Sequence, residues 1–396
     1  MVVQLMSLRV LVVHNTYKQR GGEDSVVDSE IALLREHGNT VETWFCSNDE
    51  LDGMSALGLA ARTLWSTKTQ HTLAERMSNF RPDLIHAHNT FPLISPSLYW
   101  AAARAKVPVI QTLHNFRLMC LNALFLRNGA VCEDCMGRLP WRGVIRSCYR
   151  GSHAASTVLA GMLTLHRALG TYSDKVTRYI ALNEFCRSKF IDAGLPPERI
   201  AVKPNFVDFE APEAGPRSGL LFVGRLSLEK GIATLSKAVA KSPGAHLTVV
   251  GDGPETNRFN GLEYVTSLGS QSNESVRREM TRAQALIVPS IWYENFPRTI
   301  VESFACGTPV IASRIGSLAC IVEDGKTGLL FEPSDADDLA AKIEWASQNP
   351  REMAEMGRRA RQRFENEFSA DVNYQKLMEI YDAALRSGPG GNSSPF

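Results

Sequence analysis

The stretch Ala285 to Gly307, ALIVPSIWYENFPRTIVESFACG, constrains the fold most tightly. Ala285-Leu286-Ile287-Val288-Pro289 is the short, unbroken apolar run of a strand covered on both faces in a parallel sheet. Ser290 to Phe296 reads as a loop, and Pro297 stands where a helix begins, a position at which its missing N–H costs nothing. Ile300, Val301, Phe304 and Ala305 give that helix an apolar face. Strand, loop and helix N-terminus together form a natural anion site, since free amides and the helix dipole point at the loop. Glu294 in the loop and Glu302 in the helix flank it. That pairing predicts a ligand with phosphate for the amides and hydroxyls for the carboxylates, although solvated glutamates on an ordinary βα unit have the same spacing.

A chain of 396 residues is too long for one ordinary core and implies two domains or three. A net charge of +1 with 21% charged residues speaks against a nucleic-acid binder driven by bulk electrostatics. No apolar run reaches the length of a membrane-spanning helix, and Met1 to Ser7 lacks the parts of a signal peptide. The expected location is the cytoplasm, with peripheral membrane contact left open.

Taken in order, Arg9–His14 reads as a strand, followed by a loop with Gly21-Gly22, a helix from about Asp24 to His37, and a strand over Val41–Cys46. This βαβ opening is that of a doubly wound domain, but no G-x-G-x-x-G follows the first strand, so a nicotinamide site is not indicated. Gly21-Gly22 either lets the backbone approach a ligand or makes a plain turn. Met54–Phe80 reads as mostly helical. Strands at Leu84–His86 and Val109–Leu113 end in His86-Ala87-His88 and His114-Asn115, at the strand ends where such sheets bind ligands. His114 is the candidate for substrate contact. Helix, strand and helix follow at Ala154–Leu169, Arg178–Leu182 and Glu184–Ala193.

Phe116 to Gly151 is an insertion with six arginines and only Glu133 and Asp134 against them. Cys120, Cys132, Cys135 and Cys148 lie within it as C-x11-C-x2-C-x12-C. Four thiolates could hold a structural zinc, and free thiols are the alternative. The arginines, with Trp141 and Tyr149, could face an anionic acceptor or lipid headgroups, or simply water.

After the Pro- and Gly-rich stretch at 210–218 the pattern restarts. Strands are expected at 219–224, 246–250, 264–265, 285–289 and 309–312, with helices between them. Val322–Phe331 reads as turn-rich, helices follow at 335–346 and 351–368, and a last helix at 371–386 follows a break. The tail SGPGGNSSPF reads as disordered.

With these pieces in place, the second half resembles the donor-binding domain of the retaining nucleotide-sugar glycosyltransferases of family 4, whose B fold sets two Rossmann-like lobes face to face. The matching residues are Gly224-Arg225 with Lys230-Gly231; Val250-Gly251-Asp252-Gly253-Pro254; Pro289-Ser290 with Glu294 and Glu302; Gly307-Thr308-Pro309; and Gly325 with Gly328-Leu329-Leu330. The first half resembles the acceptor lobe through Gly21-Gly22, His86-x-His88 and His114. The resemblance implies an acceptor-side domain over 1–208, a donor domain over 209–370 and a helix at 371–386 returning to the first domain. It implies that Arg225 and Lys230 hold the donor diphosphate, that Glu294 binds the sugar, Glu302 the ribose, and the backbone of Asn295, Phe296 and Pro297 the diphosphate, with His114 beside the sugar. Gly21, Gly22, Gly224 and Gly251 would line the donor site. No catalytic cofactor is implied, because Arg and Lys stand where a divalent metal otherwise would.

Many members carry a glycine soon after the first glutamate, where this chain has Asn295-Phe296-Pro297-Arg298; Pro297 and Arg298 alter the contacts expected near the sugar, which leaves the donor sugar open. The insertion is similar to that of a bacterial subgroup associated with surface polysaccharides. The implied activity is transfer of a sugar, with retention, from a nucleoside-diphosphate sugar to a saccharide or lipid-linked acceptor. A nucleotide-sugar epimerase on the same fold and a non-catalytic nucleotide-sugar-binding partner of an assembly complex are the alternatives.

Overall fold

In the computed structural model, residues 7–213 and 215–388 are described. The tail expected to be disordered runs over 387–396; Ser387 instead closes the last helix, and 389–396 lie outside the described residues. Two six-stranded parallel sheets carry the chain. The first contains β1 (Arg9–Thr16), β2 (Thr40–Ser47), β3 (Leu84–Asn89), β4 (Val109–Thr112), β5 (Arg178–Ala181) and β6 (Ile200–Val202), in the order β2-β1-β3-β4-β5-β6. The second contains β7 (Leu220–Val223), β8 (Leu247–Val250), β9 (Val265–Ser267), β10 (Ala285–Val288), β11 (Val310–Ser313) and β12 (Gly328–Phe331), in the order β9-β8-β7-β10-β11-β12. The order reverses beside β1 in one sheet and beside β7 in the other. Such reversals open a crevice at the carboxyl ends of the strands, where doubly wound folds bind ligands.

Burial follows from sequence. All four residues of β10, β11 and β12 are buried, as unbroken apolar runs between two helical layers require. The turn-rich reading of Val322–Phe331 misses β12, because the Gly-Lys-Thr-Gly turn just before it masks a strand of only four residues. A short helix at Gly316–Ile321 is missed for the same reason: six residues show no periodicity. The expected helix over 54–80 is two, Ala56–Leu64 and Thr67–Phe80, parted where Ser66 caps the second.

α1 (Gly22–Glu36) packs beside β1, and α2 (Arg298–Ala305) follows β10 with Pro297 as its N-cap. The last helix, α3 (Ala370–Ser387), lies on the first sheet, where Tyr374, Leu377, Met378 and Tyr381 share a core with Val10, Val12, Leu84 and Ile110. Asn373 and Tyr374 hydrogen-bond Lys203 and Asn39, each on the first-sheet side.

Candidate active site

The loop after β10 is fixed from three sides. Gly231 has φ +71°, and a Cβ there would lie 1.8 Å from the Pro289 carbonyl oxygen, so glycine is required for the approach. The Ile291 amide donates to the Glu229 carbonyl at 3.0 Å. The approach sets Lys230 against Glu294, with Nζ 2.6 Å from Oε1, and the Ser290 hydroxyl donates to the same oxygen at 2.6 Å. Glu294 is 6% exposed. Burial alone would push its carboxyl up, but Lys230 and the hydrogen bonds reverse this and leave it below the usual range. An ionised carboxylate can only accept, so Glu294 is built to take hydrogen bonds from hydroxyls.

The far side of the loop docks on the first domain. Asn295 donates through Nδ2 to the Leu113 carbonyl at 3.2 Å, and its own carbonyl accepts from Asn183 Nδ2 at 2.8 Å. Tyr293 packs edge-on to Phe125 and Phe185, so the Cys/Arg-rich insertion directly braces the loop.

Between the domains lies a cavity of about 360 Å3. Gly22, Glu23, His114 and Asn205 line it from the first domain, and Lys230, Glu294, Asn295, Phe296, Pro297 and Arg298 from the second. Seven of the residues singled out from sequence therefore meet in one place: Gly22, His114, Lys230, Glu294, Asn295, Phe296 and Pro297. Gly21, Gly224, Arg225, Gly251 and Glu302 do not line it. Arg225 is exposed just beyond β7, with no ion-pair partner among the described residues. Gly251 packs on the Gly224 carbonyl, which a Cβ would meet at 2.0 Å, so both glycines shape the turn next to the cavity. Glu302 is half-buried with Arg298 3.7 Å away; burial raises its pKa against the pull of Arg298 and Arg277.

Sequence reasoning missed Glu23, a cavity residue that accepts from the Tyr17 hydroxyl at 2.9 Å. Burial raises its pKa to about 7 against that hydrogen bond. An acid at a helix start reads as a dipole complement, which hides any second role. His86 is also displaced from expectation. β3 runs on to Asn89, so His86 lies within the strand, fully buried, 2.7 Å from the Tyr381 hydroxyl and 2.8 Å from that of Thr112. It does not line the cavity. His88 stands between it and His114.

The four insertion cysteines line one small pocket together with Arg146, whose Nη1 is 3.9 Å from Cys132 Sγ. Among the described residues, no three of their sulfurs come within 4.8 Å of one another; the donors that do are Glu30, His86 and His88.

Two family models match the chain: Glycosyltransferase Family 4 over residues 21–211, and Glycosyl transferases group 1 over residues 207–363. Each half of the chain is thus similar to a glycosyltransferase family. It is 32% identical over 186 residues to a glycogen synthase of Mycobacterium tuberculosis, covering 44% of each chain. It is 29% identical over 280 residues to a D-inositol 3-phosphate glycosyltransferase of Mycobacterium marinum, covering 66% of this chain and 55% of that one. The match thus spans about half the length of either relative. The Anabaena HepE crystal structure in complex with UDP shares the fold, with a TM-score of 0.68 at 20% identity over 95% of this chain and 100% of that one. Two parallel Rossmann-like sheets facing across a cleft are the B fold of glycosyltransferases, and no described helix of this chain is long and apolar enough to cross a membrane.

Proposed function

We propose that this protein is a retaining glycosyltransferase that moves a sugar from a nucleoside-diphosphate sugar to a saccharide or lipid-linked acceptor in surface polysaccharide biosynthesis. The observation that carries the reading is the Lys230–Glu294 pair facing His114 across one cavity. Glu294 accepts from hydroxyls of the donor sugar. Lys230 Nζ turns from Glu294 to the diphosphate, with Arg225 reaching in from the end of β7. The bond between the anomeric carbon and the diphosphate oxygen breaks with its electrons on oxygen, and the two cations stabilise that charge as it develops. The acceptor hydroxyl attacks from the face the diphosphate leaves, and its proton passes to the departing phosphate oxygen. This gives retention. Glu302 holds the ribose, and Gly21, Gly224 and Gly251 keep side chains away from the donor. Residues 1–208 form the acceptor side and 209–370 the donor side.

The acceptor side also carries exposed Leu139, Trp141 and Ile145 beside Arg138, Arg142 and Arg150. Exposed apolar groups in an arginine-rich segment suit an anionic lipid surface, so peripheral membrane contact is part of the proposal. The four cysteines, which line one pocket, are proposed to draw together on a structural zinc. Metal analysis of purified protein should find about one zinc per chain, lost in Cys132→Ser; a metal-free wild type removes this part.

The transferase reading is tested by incubating UDP-, GDP- and ADP-sugars with membrane extract as acceptor source and following nucleoside diphosphate release. One donor should be consumed, with an α-linked donor giving an α-linked product. Release without transfer, or epimerised donor, would count for the alternatives.

A further inference from the structure

Behind His114 lies a line of buried polar side chains with no contact to the cavity of their own. Glu30 sits on the inner face of α1 at 2% exposure, and its Oε2 is 2.9 Å from Lys203 Nζ, itself 1% exposed. Lys203 is held in turn by Asn373 of α3 at 2.8 Å. The other oxygen, Oε1, lies 3.0 Å from His86 Nδ1 and 3.4 Å from His88 Nε2, near both rings without an aligned hydrogen bond to either. His88 Nδ1 is 2.9 Å from His114 Nε2, with ring centres 5.2 Å apart and planes inclined by 21°, as an in-plane N–H···N bond gives. His114 Nδ1 has no hydrogen-bond partner among the described residues, and His114 lines the cavity.

Glu30, His86 and His88 gather donor atoms closely enough to suggest a metal ion. The Lys203 ammonium already supplies the cation there, so a divalent ion would sit against a buried positive charge.

The protons in this line can be placed. Burial by itself pushes the Glu30 carboxyl up, but Lys203 and His86 bring it well below the usual range, so it is ionised and only accepts. His88 and His114 are held neutral, chiefly by burial. A neutral imidazole has one N–H. If His88 placed it on Nδ1, the Nε2 lone pair would face a carboxylate oxygen in a low-dielectric interior, where such repulsion is strong. The proton therefore belongs on His88 Nε2. Nδ1 of His88 is then the acceptor, and His114 must donate to it from Nε2.

We propose that Glu30, held ionised by Lys203, fixes the tautomers of His88 and then His114, so that His114 presents a bare Nδ1 to the inter-domain cavity and accepts a hydrogen bond from a sugar hydroxyl. Glu30 is a positioning residue acting through two rings. The tautomer assignment stands on these distances together with the charge states that burial and Lys203 impose; the sugar hydroxyl rests on the transferase reading above. Glu294 and His114 then approach a sugar from opposite walls, both as acceptors, which selects hydroxylated over deoxygenated sugars at the position His114 meets.

The test is 15N NMR of the unliganded full-length protein labelled at histidine, with nine histidines to resolve and His114→Ala to assign the signal. Wild type should show His114 protonated at Nε2 and bare at Nδ1. Glu30→Gln alone strands the Lys203 charge, so the deciding variant is Glu30→Gln with Lys203→Met, which removes both charges. There the His114 signal should become a mixture of tautomers. A proton on Nδ1 in wild type, or an unchanged single tautomer in the double variant, overturns the proposal, and neither result bears on whether the protein transfers sugar. Once a donor is known, kcat/KM should fall about tenfold in the double variant, the scale of one hydrogen bond, while affinity for the nucleoside diphosphate alone stays the same. An equal loss of nucleotide affinity would mark a merely structural role.

Discussion

Two lysine–glutamate pairs, one on each side of the cleft, share a chemistry and differ in setting. Lys203–Glu30 spans 2.9 Å with side chains 1% and 2% exposed, sealed beneath α3. Lys230–Glu294 spans 2.6 Å, but Lys230 is 27% exposed and both residues line the cavity. A sealed pair cannot exchange partners, so its role is to hold a charge still for the residues around it. An open pair can trade its partner for a ligand. On the proposals above, the cleft has a fixed wall that sets the protonation of His114 and a responsive wall that takes up a diphosphate.

The largest effect should come from breaking the sealed pair. Lys203→Met leaves a buried carboxylate without compensation and should cost about 3–5 kcal/mol of stability, measured by urea unfolding. Lys230→Ala should cost clearly less, because solvent in the cavity reaches Glu294. Equal losses would erase the distinction between the two walls.

Arg225→Ala should lower turnover about 100-fold, the scale for loss of one charge stabiliser in the transition state, and leave the melting temperature almost unchanged because the side chain is exposed. Turnover within a few-fold of wild type would remove Arg225 from the responsive wall.

Glu23 sharpens the comparison through pH. Its folded pKa of about 7 is raised by burial above the unfolded value. The stabilisation from its protonated form is complete below the unfolded pKa of about 4.3 and is lost as pH rises through about 7. Glu23→Gln should match wild type at the acid end and exceed it by about 1–2 kcal/mol above pH 8, a figure reduced for its partial solvent contact. Parallel stability curves would show that Glu23 carries no such strain.

The smallest effect is expected at Glu302. Glu302→Ala should weaken nucleotide binding about tenfold, the scale of a hydrogen bond to a charged group, with turnover at saturation little changed. Calorimetry showing unchanged affinity would dismiss its ribose role.

The two walls also differ in how far they could be read from sequence. Lys230, Glu294 and Pro297 lie within 70 residues, on loops whose glycines and prolines mark close backbone approach, so local pattern sufficed. Glu30, His88, His114, Lys203 and Asn373 are scattered over most of the chain and meet only because β1, β3 and β4 are neighbours and α3 folds back over them. His114 was legible because a histidine follows a strand end. Glu30 was not, since one acid in an amphipathic helix looks solvated until the sheet order places Lys203 and His88 against it. β12 escaped because four residues are too few to show a period.

The central claim, that the Lys230–Glu294 wall takes up a nucleoside diphosphate, is tested most directly by thermal unfolding of wild type and Lys230→Ala with UDP, GDP and ADP. At about 100 times its dissociation constant, a bound ligand stabilises the native state by about 2.7 kcal/mol. One diphosphate should raise the melting temperature of wild type and raise that of Lys230→Ala far less at the same concentration. No shift with any of the three, or an equal shift in both proteins, would contradict the account.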